Sequence, residues 1–137
     1  MNFREQIIDM HFMLQKEVVE RIAASAGSSD YGRLSVMMQL YFRINPLFTV
    51  APQCFRPVPR VESAIIRMVP ITSPAISHEE HDAFAALVRQ AFSQRRKTLR
   101  NSLKQLGIAK EDIRAAQAET GIDLSRRAET LSVEEFG

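Results

Sequence analysis

The chain has 137 residues, a mass of 15.6 kDa and a formal net charge of +2, from 18 Lys and Arg residues against 16 Asp and Glu residues. So small a net charge excludes a simple polycation, and an anionic partner must be bound by a local basic patch. The single cysteine, Cys54, excludes an intrachain disulfide and a zinc site built from several thiolates. The sequence has no signal-peptide core and no apolar run of the roughly 20 residues that span a membrane, so we expect a cytoplasmic protein.

The first segments predict a strand followed by two helices. The apolar run DMHFMLQ is typical of a strand buried on both faces of a parallel sheet, and His11 within it is expected to be a core histidine with satisfied hydrogen bonds. Apolar residues then recur at helical spacing until Gly27, where a helix would stop. The next segment, YGRLSVMMQLYFRI, has few β-branched residues and therefore predicts a second helix. Its apolar face comprises Leu34, Met37, Met38 and Tyr41.

Two more strands, NPLFTVA and VESAIIRMVP, are predicted around the connector PQCFRPVPR. Its prolines cannot donate hydrogen bonds to a sheet, so we expect an extended, stiff loop. Upstream of this loop, Asn45 and Pro46 suggest the Asn-Pro-Pro-aromatic signature of amino-group methyltransferases. Because they precede a strand instead of following one, we interpret them as a turn. The Ser- and Pro-rich break ITSPAIS then predicts two parts, residues 1–76 and 77–137.

Residues 77–137 predict helices only. Ser77 and Glu80 have the spacing of a capping box, and an apolar stripe follows at helical spacing. The stripe comprises Phe84, Leu87, Val88, Ala91 and Phe92. One long helix is one interpretation, and a break near residues 94–98 with Thr98 capping a second helix is the other.

Two glycines and a second capping box mark the remaining helices. Gly107 and Gly121 lie where helices would end, and Ser132 with Glu135 would open a last helix. Because the chain stops within the first turns of that helix, we expect a truncated C-terminus.

A basic cluster is the first candidate site. Residues 83–110 contain seven basic residues and no acid. On one continuous helix, Arg89, Arg96 and Arg100 would form a single stripe, which is the pattern of a phosphate-binding surface. The alternative, slightly favoured by these residues alone, is a solvated helix face, since Arg and Lys are common on helix surfaces. A second acid-free span, residues 31–61, carries four arginines and supports a true basic surface.

The segment CFRPVPRVES is the second candidate site. Phe55, close to several prolines at the edge of a sheet, would be a preorganised platform for stacking on a base, which contributes about 1–3 kcal/mol. The alternative, which the residues alone favour, is that Phe55 packs under its own loop.

Several segments in order resemble the ribosomal RNA adenine N6-dimethyltransferases of the KsgA/RsmA type, with the Erm resistance methyltransferases as more distant relatives. They are HFMLQKEVVERI, YGRLSV, FRPVPRVESAIIRMVP, FSQRRKTLRNSL and RAETLSVEEF. The resemblance implies an α/β fold plus an all-α part: the last three strands of a Rossmann-like methyltransferase sheet in residues 1–76, and a small helical RNA-contacting domain in residues 77–137. DMHFMLQ would be the fifth strand, and the last two strands would be the terminal antiparallel pair.

The resemblance also implies a function. The parent enzyme would dimethylate N6 of two adjacent adenines in small-subunit ribosomal RNA, using S-adenosyl-L-methionine (SAM) and no metal, with the pre-30S ribosomal particle as partner. Phe55 matches the family residue that stacks on the target adenine, and Arg95, Arg96 and Lys97 match an RNA-contacting segment. The predicted RNA-binding residues are Arg89, Arg95, Arg96, Lys97, Arg100 and Lys104.

The sequence also departs from the family pattern. It contains no glycine-rich SAM loop, no matching ribose-binding acid and no Asn-Leu-Pro-Tyr catalytic motif, all of which precede the fifth strand in the family. We therefore expect a truncated portion that binds no SAM, is inactive alone and self-associates through the exposed flank of its sheet. The alternatives are a non-catalytic RNA-binding or ribosome-associated adaptor, and a helical protein-interaction module whose cations are merely solvated.

Overall fold

The computed structural model describes residues 6–94 and 96–137. In the first part, the elements in chain order are β1 (Met10–Gln15), α1 (Lys16–Ala23), α2 (Arg33–Gln39), β2 (Phe42–Val50) and β3 (Ser63–Pro70). The helices that follow are α3 (His81–Ser93), α4 (Leu99–Leu103), α5 (Lys110–Thr120) and α6 (Val133–Phe136). Among all the described residues, no helix is long and apolar enough to cross a membrane.

The three strands form one sheet in the order β1-β3-β2. β3 runs antiparallel to both neighbours, so β1 and β2 run parallel to each other. This arrangement agrees with a fifth strand followed by a terminal antiparallel pair. The chain is therefore α/β, with a helical part after the sheet, and the wider Rossmann-like sheet stays a prediction.

The second predicted helix is shorter than expected. α2 ends at Gln39, and Tyr41 lies outside it because β2 already begins at Phe42. The side chain of Gln39 donates to the carbonyl oxygens of Ile22 and Ala24, each over 2.8 Å, and so fixes the end of α2 against the end of α1. Tertiary contacts with α1 therefore decide where this helix ends.

The predicted turn at Asn45 and Pro46 is wrong. Both residues lie inside β2, with Pro46 opposite Ile66 of β3, and the register shifts before Phe48. A proline is tolerated here because, among the described residues, β2 is an edge strand whose irregularity relieves the missing N–H.

The prediction that β1 is buried on both faces is wrong for this chain. Phe12 and Met13 are 44% and 52% exposed. His11 is also exposed, with Nδ1 at 3.6 Å from Oδ1 of Asp9, so it is not a core histidine. The reason is position: β1 lies at the edge of the described sheet, while α1 covers the central strand β3.

Two apolar cores stabilise the fold. The smaller core packs Val19 and Ile22 of α1 on Ala64, Ile66 and Met68 of β3. The larger core joins α2 to the helical part. Its most deeply buried apolar members are Val36, Leu40, Val88 and Ala91. The division into residues 1–76 and 77–137 stays a prediction, and this larger core contains residues from both sides of it.

The helical predictions are largely confirmed. Ser77 and Glu80 exchange the two hydrogen bonds of a capping box, over 2.8 and 3.4 Å, although α3 itself begins at His81. Gly107 and Gly121 end their helical segments in the left-handed conformation, with φ of +74° and +71°. Ser132 forms the second capping box with Glu135 at the start of α6.

Candidate nucleic-acid interface

Phe55 lies in the loop that joins β2 to β3, at the end of the sheet where β1 and β2 both finish. Gln15 and Val50, the last residues of these strands, are both paired with Ser63, the first residue of β3. In open α/β sheets, ligands bind beyond the carboxyl ends of the strands. The fold therefore places the predicted stacking residue at the edge where a substrate is expected.

The sequence predicts an extended loop around Phe55, but part of this loop is helical. Pro52–Cys54 form a 3₁₀ turn, and the backbone N–H of Phe55 donates to the carbonyl oxygen of Pro52 over 3.1 Å. The ring of Phe55 is partly buried, while Val58 and Val61 after it are 61% and 48% exposed. The loop thus anchors Phe55 at its base and leaves part of it accessible to a ligand.

The basic stripe predicted on one continuous helix is wrong. α3 ends at Ser93 and α4 begins at Leu99, so the predicted break is confirmed; Thr98 occupies the N-cap position, but its side chain makes no capping hydrogen bond. The backbone at the break pairs with a distant segment: Thr98 bridges to Arg127, and the N–H of Leu99 donates to the carbonyl oxygen of Arg126 over 2.9 Å. These long-range hydrogen bonds replace the helical ones that a continuous helix would need.

The break separates the predicted RNA-binding residues into groups. Arg89 is exposed on α3, and Arg96 and Lys97 are exposed in the segment between α3 and α4; we call the latter pair the connector cations. Arg100 and Lys104 are exposed further along, on α4 and the 3₁₀ turn that follows it. Arg95 lies outside the described residues, and its role stays a prediction.

A groove of about 240 Å³ between α4 and α5 brings four cations together. They are Arg100, Lys104, Lys110 and Arg114, which we call the groove cations. Ile113 and Gln117 of α5 complete the lining. Nη2 of Arg100 donates to Oε1 of Gln117 over 3.1 Å, so this guanidinium is held across the groove.

Within the part of the chain that the structure describes, the groove cations have no ion-pair partner. Among the described residues, no carboxylate oxygen lies within 4.0 Å of any of them. The hydroxyl and backbone N–H of Ser125, at 2.7 and 2.8 Å, lower the pKa of the Asp123 carboxyl, with smaller contributions from Arg100 and Arg126. Asp123 thus directs its oxygens to its own turn, and the groove keeps an excess of positive charge.

Lys110, Arg114 and Gln117 were not among the predicted site residues. The signal for them was present, because positions 110, 113, 114 and 117 follow the i, i+3, i+4, i+7 spacing of one helix face. Of the acids of α5, Asp112 and Glu119 lie on the opposite side of the helix, and Glu111, three residues before Arg114, flanks this face. The basic face of α5 is therefore identified by how its charges are distributed around the helix, and not by the number of basic residues in the segment.

A second cavity, of about 320 Å³, lies beside the carboxyl end of β1. Its lining comprises Gln15, Lys16, Glu17, Glu20, Val61 and Glu62. Nζ of Lys16 contacts Oε2 of Glu62 at 2.8 Å, and this hydrogen bond raises the pKa of Lys16. The described residues contain no group of three or more His, Cys, Asp or Glu side chains arranged to hold a metal ion.

The fold of the chain is similar to part of two solved structures. It superimposes on a dimethyladenosine transferase from Plasmodium falciparum with a TM-score of 0.80 and 24% identity, covering 95% of this chain and 55% of that one. The 23S rRNA methyltransferase ErmE gives a TM-score of 0.65 and 22% identity, over 95% of this chain and 52% of that one. At these identities the likeness shows the fold alone.

The family follows from sequence. Residues 2–137 match the family described as ribosomal RNA adenine dimethylase, and the chain belongs to that family. It is 52% identical to the ribosomal RNA small subunit methyltransferase A of Saccharophagus degradans, over 99% of this chain and 49% of the relative. The protein of the same name from Nitrosospira multiformis is 47% identical, over 98% of this chain and 50% of its own. The chain thus spans about half the length of these curated relatives, and the resemblance drawn from its motifs is confirmed.

Proposed function

We propose that this chain forms the RNA-facing part of an enzyme that dimethylates N6 of two adjacent adenines in small-subunit ribosomal RNA, with SAM as methyl donor. Family membership supports the class of reaction. The observation that carries the proposal is the position of Phe55 beyond the carboxyl ends of two parallel strands. The proposal includes a cytoplasmic location, the pre-30S ribosomal particle as partner, and a division of labour between residues 1–76 and 77–137.

Phe55 would act on the target base. A paired adenine cannot present its amine to a methyl donor, so each target must be turned out of the stack. The accessible part of the Phe55 ring would then stack on the extruded base, an interaction worth about 1–3 kcal/mol. The N6 lone pair is delocalised into the purine ring and is a weak nucleophile, so a fixed position of the base is a large part of what this loop can contribute.

The connector cations would bind the RNA backbone. Arg96 and Lys97 are exposed, and the segment that carries them is held by the hydrogen bonds of Thr98 and Leu99 to residues 126–127. Contacts of this kind with phosphate fix the register of the RNA without reading its sequence. They would therefore orient the hairpin so that the target adenines reach Phe55.

The residues of this chain do not fit SAM. The glycines are scattered and form no glycine-rich turn; they are Gly27, Gly32, Gly107, Gly121 and Gly137. The cavity beside β1 is lined by three glutamates, one of which, Glu62, forms an ion pair with Lys16. We therefore propose that the 137-residue chain alone binds no SAM and transfers no methyl group. Titration calorimetry with SAM should give no binding heat, and stoichiometric binding would contradict this part of the proposal.

The role of Phe55 is tested with a labelled RNA hairpin that carries two adjacent adenines in its loop. Phe55→Ala should weaken binding about tenfold, within the range expected for loss of one stacked base. Phe48→Ala is the matched control, because Phe48 is 62% exposed but lies on β2. Equal effects of the two substitutions would show that the loop has no special role.

A non-catalytic RNA-binding adaptor is the second candidate, favoured by the presence of the cations and the poor fit to SAM within the same chain. The DNA upstream of the Met1 codon separates the two. In-frame codons for a glycine-rich loop and an Asn-Leu-Pro-Tyr motif would favour the enzyme, and stop codons behind a promoter would favour the adaptor.

A further inference from the structure

We propose that the groove between α4 and α5 is a separate binding site for the phosphates of an RNA backbone. The inference rests on the proposed function, since it takes RNA as the ligand. It goes further by assigning a defined site to the four groove cations, two of which, Lys110 and Arg114, lie on α5.

The geometry of the groove is suited to a phosphate. Arg100 and Lys104 are four residues apart and so project from one side of α4 and the turn after it. Lys110 and Arg114, with the same spacing, project from the facing side of α5. Ile113, only 6% exposed, forms an apolar floor between the two pairs. A guanidinium and an ammonium thus line each wall, and both are groups that bind phosphate.

The electrostatics favour an anion. A cleft lined by charges of one sign concentrates the field within it, and no described carboxylate lies within 4.0 Å of a groove cation. The groove also lies at the amino end of α5, but the first turn of this helix carries Glu111 and Asp112, so the groove cations, and not the helix end, favour an anion.

RNA is favoured over an acidic protein segment because of the neighbouring connector cations. Arg96 and Lys97 precede Arg100 by only a few residues, so one phosphate backbone can follow the connector into the groove. Phosphates recur at regular intervals along RNA, and two adjacent basic sites of this kind match that repetition.

The test measures affinity for a labelled RNA hairpin across a salt series, with the full chain. The groove variant is Lys110→Gln/Arg114→Gln. Its control is Arg21→Gln/Arg67→Gln, which removes the same charge from two surface cations already paired with Glu17 and Asp9. Each lost phosphate contact lowers the slope of log affinity against log salt by about 0.7 to 1. The groove variant should therefore lose about 1.4 to 2 from the slope, and its affinity should fall at least tenfold relative to the control.

Three outcomes would overturn the inference, and each has a different meaning. If the groove variant matches its control while Arg96→Glu/Lys97→Glu abolishes binding, the groove is not a site but the proposed function stands. If the unmodified chain shows no salt-dependent binding, both fail. If poly-glutamate binds the unmodified chain more tightly than the hairpin does and this preference is lost in the groove variant, the groove is a site for acidic protein and not for RNA.

Discussion

Arg126 and Glu135 form an ion pair with two hydrogen bonds, in which Nη1 and Nη2 of the guanidinium donate to the two carboxylate oxygens over 2.5 and 3.1 Å. The backbone carbonyl of Arg126 accepts the hydrogen bond of Leu99 at the start of α4. The pair therefore connects α6 to the segment from which the connector cations project. Stability of the helical part and presentation of the basic surface depend on the same contact.

Glu135→Gln should lower the free energy of unfolding by about 1 kcal/mol, a value reduced for solvent screening because about a third of each side chain is exposed. The substitution removes the charge that pairs with Arg126 and weakens the acceptor that receives the backbone N–H of Ser132 over 2.8 Å. Urea unfolding measures the change. Glu119→Gln, at an exposed position of α5, is the control, and an equal effect there would contradict a structural role for the pair.

Acid should destabilise the fold, in part through Glu135. The hydrogen bond from Arg126, followed by that from Ser132, lowers the pKa of this carboxyl below its usual 4.5. A group whose folded pKa is lowered contributes stability that is present above the unfolded pKa and is lost as the pH falls through the folded value. The pKa values of Glu80 and Asp123 are lowered as well, by hydrogen bonds from Ser77 and Ser125.

Urea midpoints measured from pH 7 down to pH 3 should therefore fall below about pH 4.5, the usual pKa of a glutamate. The Glu135→Gln variant should have a lower urea midpoint at pH 7, and its midpoint should fall less between pH 7 and pH 3, because the group that titrates has been removed. Parallel curves for the variant and the unmodified chain would argue against the contribution of Glu135.

Leu99→Ala should lower the free energy of unfolding by about 2–5 kcal/mol. The side chain is only 4% exposed, and its loss leaves a cavity in the larger core. The connector cations should become less effective as well, because Leu99 anchors the start of α4. Leu106→Ala, at a position 37% exposed, should cost clearly less. Chemical unfolding checks both, and similar losses would show that burial of Leu99 does not fix this segment.

The exposed edge of the sheet should support self-association of the chain. Phe12 and Met13 are accessible, and β1 is paired on one side only among the described residues. Met13→Lys should shift sedimentation toward the monomer, because a charge on an edge strand opposes pairing with a second copy. Leu34→Lys, at an exposed position on α2, should leave the distribution unchanged. A chain that is already monomeric at high concentration would contradict the expectation.

Local signals made much of the helical part predictable. The capping pair of Ser132 and Glu135 and the left-handed glycines at 107 and 121 act within a few residues, so their meaning is carried by the sequence itself. The sheet order was predictable only through the family resemblance, because the family fold specifies which strands lie next to each other.

The wrong predictions share a different cause. The basic stripe was interrupted by hydrogen bonds between Leu99 and Arg126, residues far apart in the chain. The burial of β1 was inferred from its composition, but burial is decided by what packs against a strand. Pro46 could enter β2 because of its edge position, which no local pattern reveals. Long-range pairing and packing, and not local propensity, decided these cases.

The most direct test of the account is the binding of the 137-residue chain to a labelled ribosomal RNA hairpin across a salt series, beside Arg96→Glu/Lys97→Glu. Arg21→Glu/Arg67→Glu makes the same change in charge at two paired surface cations and serves as the control. We expect the affinity to fall with salt by about 0.7 log units per phosphate contact for every log unit of salt, and to be mostly lost in the connector variant alone. If the unmodified chain and both variants are equally indifferent to the hairpin and to salt, the basic surface is a solvated face and does not bind RNA.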